Sequence, residues 1–222
     1  MKHSTAAILT LIGALALSRG AAAQPAAVID RPGFDFGLRL GYAIPFGDID
    51  GNAGNGLASA FSGAVPLVFE AGYRLNPAFT LGALFQYAFA QLKDSNNGCP
   101  GNASCSGSVV RLGIEGIYRL PVAAVLAPWA GLALGYEWMD VTITNNGNST
   151  SFGASGFEFI TLQAGGDYRV APNFGLGPFL SLSFARYGTV SATQGGNSTS
   201  TDIANPAVHE WLQIGVRGAF SL

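Results

Sequence analysis

Charge is scarce in this chain of 222 residues. Asp, Glu, Lys and Arg together make up 11% of it, against roughly 25% in a typical soluble domain. Lysine occurs only as Lys2 and Lys93, and there are two cysteines and two histidines. With so few cations and a net charge of −2, no basic patch can form to bind nucleic acid. Two cysteines without a nearby histidine rule out a structural zinc site. No stretch reaches about 18 consecutive apolar residues, so no transmembrane helix is present. Yet 49% of the chain is hydrophobic, and a chain this poor in charge must bury those residues by other means.

The N-terminus has its own explanation. Lys2 precedes an apolar run from Ala6 to Leu17, and Ala21-Ala22-Ala23 forms a small-residue cleavage site before Gln24. This is the pattern of a secretory signal peptide over residues 1–23. A short linker, 24–33, leads into one domain, 34–222. Two of the 11 Lys and Arg lie in the leader, which leaves nine against 13 acids and a mature charge of −4.

The remaining chain alternates with period two. Phe34, Phe36, Leu38, Leu40, Tyr42 and Ile44 share one face, and Asp35, Gly37, Arg39, Gly41 and Ala43 share the other. Such alternation means β-strand. Comparable segments follow near 65–75, 79–91, 108–120, 129–142, 157–170, 174–187 and 208–222. Long polar connections near 45–64, 92–107, 143–156 and 188–207 alternate with short proline-containing ones near 76–78, 121–128 and 171–173. The expected fold is all-β: an eight-stranded antiparallel up-and-down transmembrane β-barrel, its strands longer than the roughly 9–11 residues a bilayer needs.

The strands that reach the short turns end alike. Tyr73-Arg74-Leu75, Tyr118-Arg119-Leu120 and Tyr168-Arg169-Val170 repeat one pattern, and Phe220 takes the aromatic place in the last strand. Tyr73, Tyr118, Tyr168 and Phe220 are expected at a membrane interface, where an aromatic body and a polar tip are both accommodated. With the bulky apolar residues facing lipid, Asp35, Arg39, Glu70, Arg74, Arg111, Glu115, Arg119, Glu137, Asp167, Arg169 and Arg217 all face the interior, and no charge is expected on the lipid face. Glycine, alanine, serine, threonine and glutamine share that interior, which suits a narrow lumen filled by side chains. Near-neutral pairing is expected there, because an unpaired buried charge costs several kcal/mol. Glu115, on the strand and face of Arg111, is a first-choice partner for it, with Glu70 the other. Pro178 breaks the seventh strand, and Gly175 and Gly177 beside it suggest a bulge.

On the alternating strands and the Tyr-Arg-Leu/Val hairpin ends, the sequence from Phe34 to Leu222 resembles the small eight-stranded bacterial outer-membrane barrels, the class of the OmpA-type membrane domain and the OmpX-type proteins. The resemblance implies residence in a Gram-negative outer membrane. It implies lipid as the surrounding solvent, insertion by the barrel-assembly machinery and a monomeric state. Family members commonly end in a Phe read by that machinery; here the aromatic is Phe220 and the last residue is Leu222. No periplasmic peptidoglycan-binding domain is expected after the barrel.

Chemical motifs are few. Cys99 and Cys105 bracket PGNAS in the second long loop and read as a loop-closing disulfide in an oxidising compartment. Asp48-Ile-Asp50-Gly-Asn52 fails the EF-hand template, with Ala53 at the sixth place and Ser59 at the twelfth. His209, the only histidine of the mature chain, should point inward near the outer rim as a hydrogen-bonded residue. Asn102, Asn148 and Asn197 precede x-Ser/Thr as ordinary polar loop composition. No catalytic, cofactor-binding or metal residue is assigned, and no cofactor is expected. The expected function is structural or surface-binding, carried by four long loops over a closed lumen and directed at an extracellular ligand the sequence does not name. The alternatives are a narrow channel and a lipid-modifying enzyme that would pair His209 with a hydroxyl and an acid.

Overall fold

The computed structural model describes residues 31–51, 56–93, 99–101, 103–120 and 126–222. The leader and most of the linker, as well as Asn52 and Asn102, lie outside them. The strands are β1 (Gly33–Gly47), β2 (Phe61–Asn76), β3 (Phe79–Leu92), β4 (Ser104–Arg119), β5 (Leu126–Asn145), β6 (Asn148–Ala171), β7 (Phe174–Gln194), β8 (Asn197–Asp202) and β9 (His209–Ser221), with a single helical turn α1 (Leu57–Ala60). Each strand from β1 to β7 pairs antiparallel with the next, and β9 joins β7 to β1, closing an eight-stranded ring. β8 is a ninth strand, attached to β7 outside the ring.

The alternation sets the two faces. On β1, Asp35 and Arg39 are buried while Leu38 and Leu40 are exposed, Leu40 by 57%. Phe85 and Leu132 likewise point outward. Small residues let so narrow a cylinder close: Gly41 opposes Gly215, and a Cβ on Gly215 would collide with the Leu40 carbonyl oxygen. At one end the strands meet in short turns. The Asn76 side chain accepts from the amides of Ala78 and Phe79 at 2.9 and 3.0 Å, making an Asx turn before β3.

Two of the expected long loops are strands instead. β5 continues to Asn145 and β6 begins at Asn148, joined by Asn146-Gly147 with φ of 49° and 79°. β7 continues to Gln194 and turns through Gly195-Gly196, φ 58° and 83°, into β8. Positive φ at both central residues is the two-residue hairpin turn whose twist matches the strands, and Asn-Gly and Gly-Gly are its preferred sequences. Asn148 and Asn197 therefore open strands rather than sit in loops.

The irregularity expected beside Pro178 lies nearer the turn, where β6 shifts register between Arg169 and Ala171 opposite Gly175 and Phe174, and not at the proline itself. β6 and β7 pair at Gly165–Phe179 and again at Tyr168–Leu176 in the same register, with the ladder open between. Pro178 keeps its place opposite Val216 on the other side. The proline thus costs local hydrogen bonds without shifting the strand.

The outer surface reads as a membrane band. Tyr73, Tyr118, Tyr168 and Phe220 are exposed at the turn end. A second aromatic group, Tyr42, Tyr87, Phe89, Tyr136 and Trp138, is exposed toward the loop end, where Tyr136 and Trp138 lie 4.7 Å apart. Tyr118 and Val110, the latter opposite Tyr87, are separated by about 27 Å of strand at ~3.4 Å per residue. Tilted by roughly 40°, that spans about 20 Å, close to the ~25 Å apolar band of such barrels. Contrary to expectation, four charges among the described residues do face outward on the strands: Asp140, Arg186, Asp202 and Glu210. Arg186 pairs with Phe157, itself opposite Tyr136, and Asp140 lies two residues beyond Trp138. They mark the upper margin of the band, where lipid gives way to water.

Candidate functional site

The interior side chains form tiers along the barrel axis. At the turn end, Asp35 accepts from three groups, Arg74 at 2.6 Å, Ser221 at 2.7 Å and Thr80 at 2.8 Å, and forms an ion pair with Arg119 at 3.1 Å, which itself donates to Thr80. Arg74 also donates from Nε to the Arg31 carbonyl at 3.0 Å.

Above it lies a second tier built on two arginines. Arg39 pairs with Glu70 and, at 3.4 Å, with Glu115, and donates to Gln163. Arg217 holds Glu70 at 2.8 Å and Asp167 at 2.7 Å. The Trp129 indole donates to Asp167 at 3.1 Å, and both guanidinium carbons lie over its ring, at 5.2 Å (Arg39) and 4.8 Å (Arg217). Cation–π contact of this kind gains strength when desolvated. A Gln213–Gln86 hydrogen bond of 3.0 Å spans the barrel next.

The third tier centres on Arg111, which meets Glu137 at 2.7 Å and Glu158 at 2.6 Å and donates to Ser183. Glu137 is fully buried and also accepts from Tyr187 and, at 3.1 Å, from His209 Nε2. The Tyr187 and His209 rings stack at 4.0 Å. Last comes an apolar tier of Leu57 from α1, Phe61, Val109, Met139 and Trp211, with Ala43, Ala64, Ala88 and Ala154. The loop segment carrying α1 thus drops an apolar side chain, Leu57, onto the barrel's upper opening.

Ten of the eleven charges assigned to the lumen take part in these tiers. Arg169 is half-buried and lines a depression among the short turns. The partner of Arg111 is not Glu115. Two residues on one face of a strand four apart are separated by about 13 Å, whereas Glu137 lies directly opposite Arg111 on β5. Glu115 and Glu70 serve the second tier. Glu158 enters the interior because β6 slips register between Glu158 and Ile160. The slip is visible in sequence: the outward bulky residues change from Phe157 and Phe159 to Leu162, Tyr168 and Val170. With Glu158 the interior carries as many carboxylates as guanidiniums. Thr80, Gln86, Thr161, Gln163, Ser183 and Tyr187 extend the hydrogen bonding and carry no signal beyond their parity. Cys99 and Cys105 are joined, with an S–S length of 2.02 Å.

A second surface lies above the band. There the outward side chains of five adjacent strands are hydroxylic. Ser106, Thr142, Ser151, Thr193 and Ser198 occupy successive positions of one row across β4 to β8. Thr142 and Ser151 are 2.9 Å apart, and Thr193 donates to Ser198 at 3.0 Å. The opposite face of this extension is apolar, with Val141 and Val190 packed on the cap.

A closed ring, an apolar exterior between two aromatic rims and an ion-paired interior are the features of a membrane barrel, and sequence comparison agrees. Residues 12–207 match the family described as the outer membrane protein beta-barrel domain. The chain belongs to that family. It is accordingly a bacterial outer-membrane protein, with short turns toward the periplasm and the hairpin extensions outside. Among solved structures, it is similar to a major outer membrane protein from Thermus thermophilus, at 15% identity and a TM-score of 0.52, covering 85% of this chain and 99% of that one. It is also similar to Neisserial surface protein A, at 16% identity and a TM-score of 0.48, covering 85% and 98%. OprG from Pseudomonas aeruginosa is similar at 14% identity and a TM-score of 0.49, covering 88% and 100%. At these identities the likeness is one of fold. Among curated proteins, none matches the sequence.

Proposed function

We propose that this protein is a non-enzymatic outer-membrane barrel with a sealed lumen that presents a hydrogen-bonding surface to the outside. The observation that carries the proposal is the stack of tiers: three ionic layers beneath an apolar cap, with Arg39, Arg111, Arg217, Glu137, His209 and Trp211 each 5% exposed or less. Eight strands leave an interior that side chains can just fill. Opening a path through it would separate ion pairs already withdrawn from water, which costs several kcal/mol per uncompensated charge.

The enzymatic alternative needs a histidine, a hydroxyl and an acid open to a substrate. His209, Glu137 and Tyr187 do meet, but His209, Glu137 and Tyr187 are each 0% exposed, beneath the apolar cap. The channel alternative lacks a wide lumen. The surface-binding role draws support from the hydroxyl rows, whose donors and acceptors suit neutral hydrogen-bonding partners; among the described residues Asp140 and Asp202 are the charges that stand in the rows beside them. Outer-membrane lipid as solvent, assembly-machinery recognition of the last strand and a monomeric state belong to the same proposal. Liposome swelling tests it: vesicles carrying the refolded protein should remain as impermeable to small sugars as empty ones, and swelling above that baseline would refute the sealed lumen.

A further inference from the structure

β5 carries one outward column from the lipid into the space above it. From the middle of the band its outward residues are Leu132, Leu134, Tyr136, Trp138, Asp140 and Thr142: aliphatic, then aromatic, then acidic and hydroxylic. Two glycines leave gaps beside that column. The lower is Gly116, between Leu81 and Leu132, where a groove of about 220 Å³ opens on the lipid face with Leu81, Ile114, Leu132, Leu134 and Phe159 as its apolar walls. The upper is Gly153, between Asp140 and Ser191. A Cβ on Gly153 would stand 2.6 Å from Ser191 Oγ and 3.1 Å from Asp140 Oδ1, so a hydroxyl and a carboxylate close over one shallow floor. Ser108 flanks Asp140 on β4. Trp138, 39% exposed, stands directly below Asp140 on the same face, with the Tyr136 ring 4.7 Å away.

We infer that this column binds a glycolipid of the outer leaflet, with an uncharged sugar on the Trp138, Asp140 and Gly153 platform and an acyl chain running down toward the Gly116 groove. The inference rests on the surface-binding reading above and names its ligand. A sugar ring offers an apolar C–H face, which suits an indole, and a rim of hydroxyls, which donate to a carboxylate and exchange hydrogen bonds with serine. The hydroxyl rows keep that capacity although their members also pair. In the Thr142–Ser151 contact of 2.9 Å one hydroxyl donates and the other retains its own proton. Charge selects against an anionic headgroup: Asp140 and Asp202 stand in the rows, while Arg186 lies one row nearer the lipid, opposite Phe157. Continuity with the lipid face selects a membrane lipid over a soluble saccharide. Leu134 and Asp140 are about 20 Å apart along the strand, a length that an acyl chain spans.

The test is NMR of the folded barrel in nanodiscs of zwitterionic phospholipid, titrated separately with diglucosyl diacylglycerol, with free maltose and with phosphatidylglycerol. Saturable shifts of the Trp138 indole N–H and the Gly153 amide are expected with the glycolipid alone, with the Trp129 and Trp211 indoles unmoved. Asp140→Asn should weaken the apparent affinity about tenfold, the loss of one charge-assisted hydrogen bond. Gly153→Val, which fills the floor, should abolish the Trp138 shift. Asp140→Asn keeps the shape of the native side chain and covers the case in which Gly153→Val does not fold. A maltose response equal to that of the glycolipid would overturn the glycolipid assignment while leaving the surface-binding reading in place. No response to either sugar would overturn the inference, and liposome swelling still judges the sealed lumen separately. A response to phosphatidylglycerol equal to that of the glycolipid, or shifts that persist unchanged in both variants, would overturn the site.

Discussion

Arg111 and Glu137 stand directly opposite each other on β4 and β5, and Arg111 Nε donates to Glu137 Oε2 at 2.7 Å. The same guanidinium holds Glu158 at 2.6 Å from β6. One arginine thus ties together three adjacent strands at the level where the ionic interior meets the apolar cap.

Removing that cation should be costly. Arg111→Gln leaves two carboxylates facing each other in a confined interior, and breaking a buried pair costs about 3–5 kcal/mol. Glu158→Gln in the same chain should recover part of the loss, because members of one network are non-additive. Glu115→Gln should recover none, since Glu115 belongs to the Arg39 tier. Urea unfolding midpoints of the wild type and these three variants in detergent or bilayer check this directly.

The lipid face gives a depth-dependent contrast. Leu132 is exposed by 56% within the band, and Leu132→Arg should cost about 2–4 kcal/mol if it lies near the midplane. Thr142, outward on the same strand but beyond Trp138, should accept arginine at a cost of about 0–1 kcal/mol. Equal losses at the two sites would show that the band boundary is misplaced.

The hairpin extensions carry their own expectation. Gly147 sits at φ 79°, and Gly147→Ala should destabilise the turn by roughly 1–2 kcal/mol, the cost of a left-handed conformation for a residue with Cβ. Amides of β5, β6 and β7 above Tyr136 should exchange slowly as paired strands do. Fast, loop-like exchange across 143–156 would contradict the extensions.

Breaking the Cys99–Cys105 disulfide should matter locally. A loop closed by six residues of separation gains about 2 kcal/mol by chain entropy. Reduction should loosen the loop between β3 and β4 while leaving the tiers intact, as judged by near-UV signals of Trp129 and Trp211. Loss of those signals would make the bridge a support of the barrel itself.

The barrel was legible in the sequence because its two solvents demand opposite residues at period two. Phe34 to Ile44 and Asp35 to Ala43 could only be the two sides of one strand, and the recurring Tyr-Arg ends placed the turns. Partner choice was not legible. Which acid meets Arg111 depends on the register between β4, β5 and β6, and a single chain carries no record of register except through bulges. The slip at Glu158 was written in the shift from Phe159 to Leu162, but it takes the paired strand to give it meaning. The hairpin extensions were hidden by composition: Thr, Ser and Asn read as loop, although Asn146-Gly147 and Gly195-Gly196 are strong turn signals between alternating segments.

The sealed interior is tested most directly by single-channel recording in planar bilayers. The wild-type protein should show negligible conductance. Arg111→Gln combined with Glu137→Gln, which removes the central tie of the third tier, should raise it, and Trp211→Ala in the cap should raise it further. Steady conductance of the wild type, left unchanged by those substitutions, would mean that ions bypass or traverse the tiers and would restore the narrow channel.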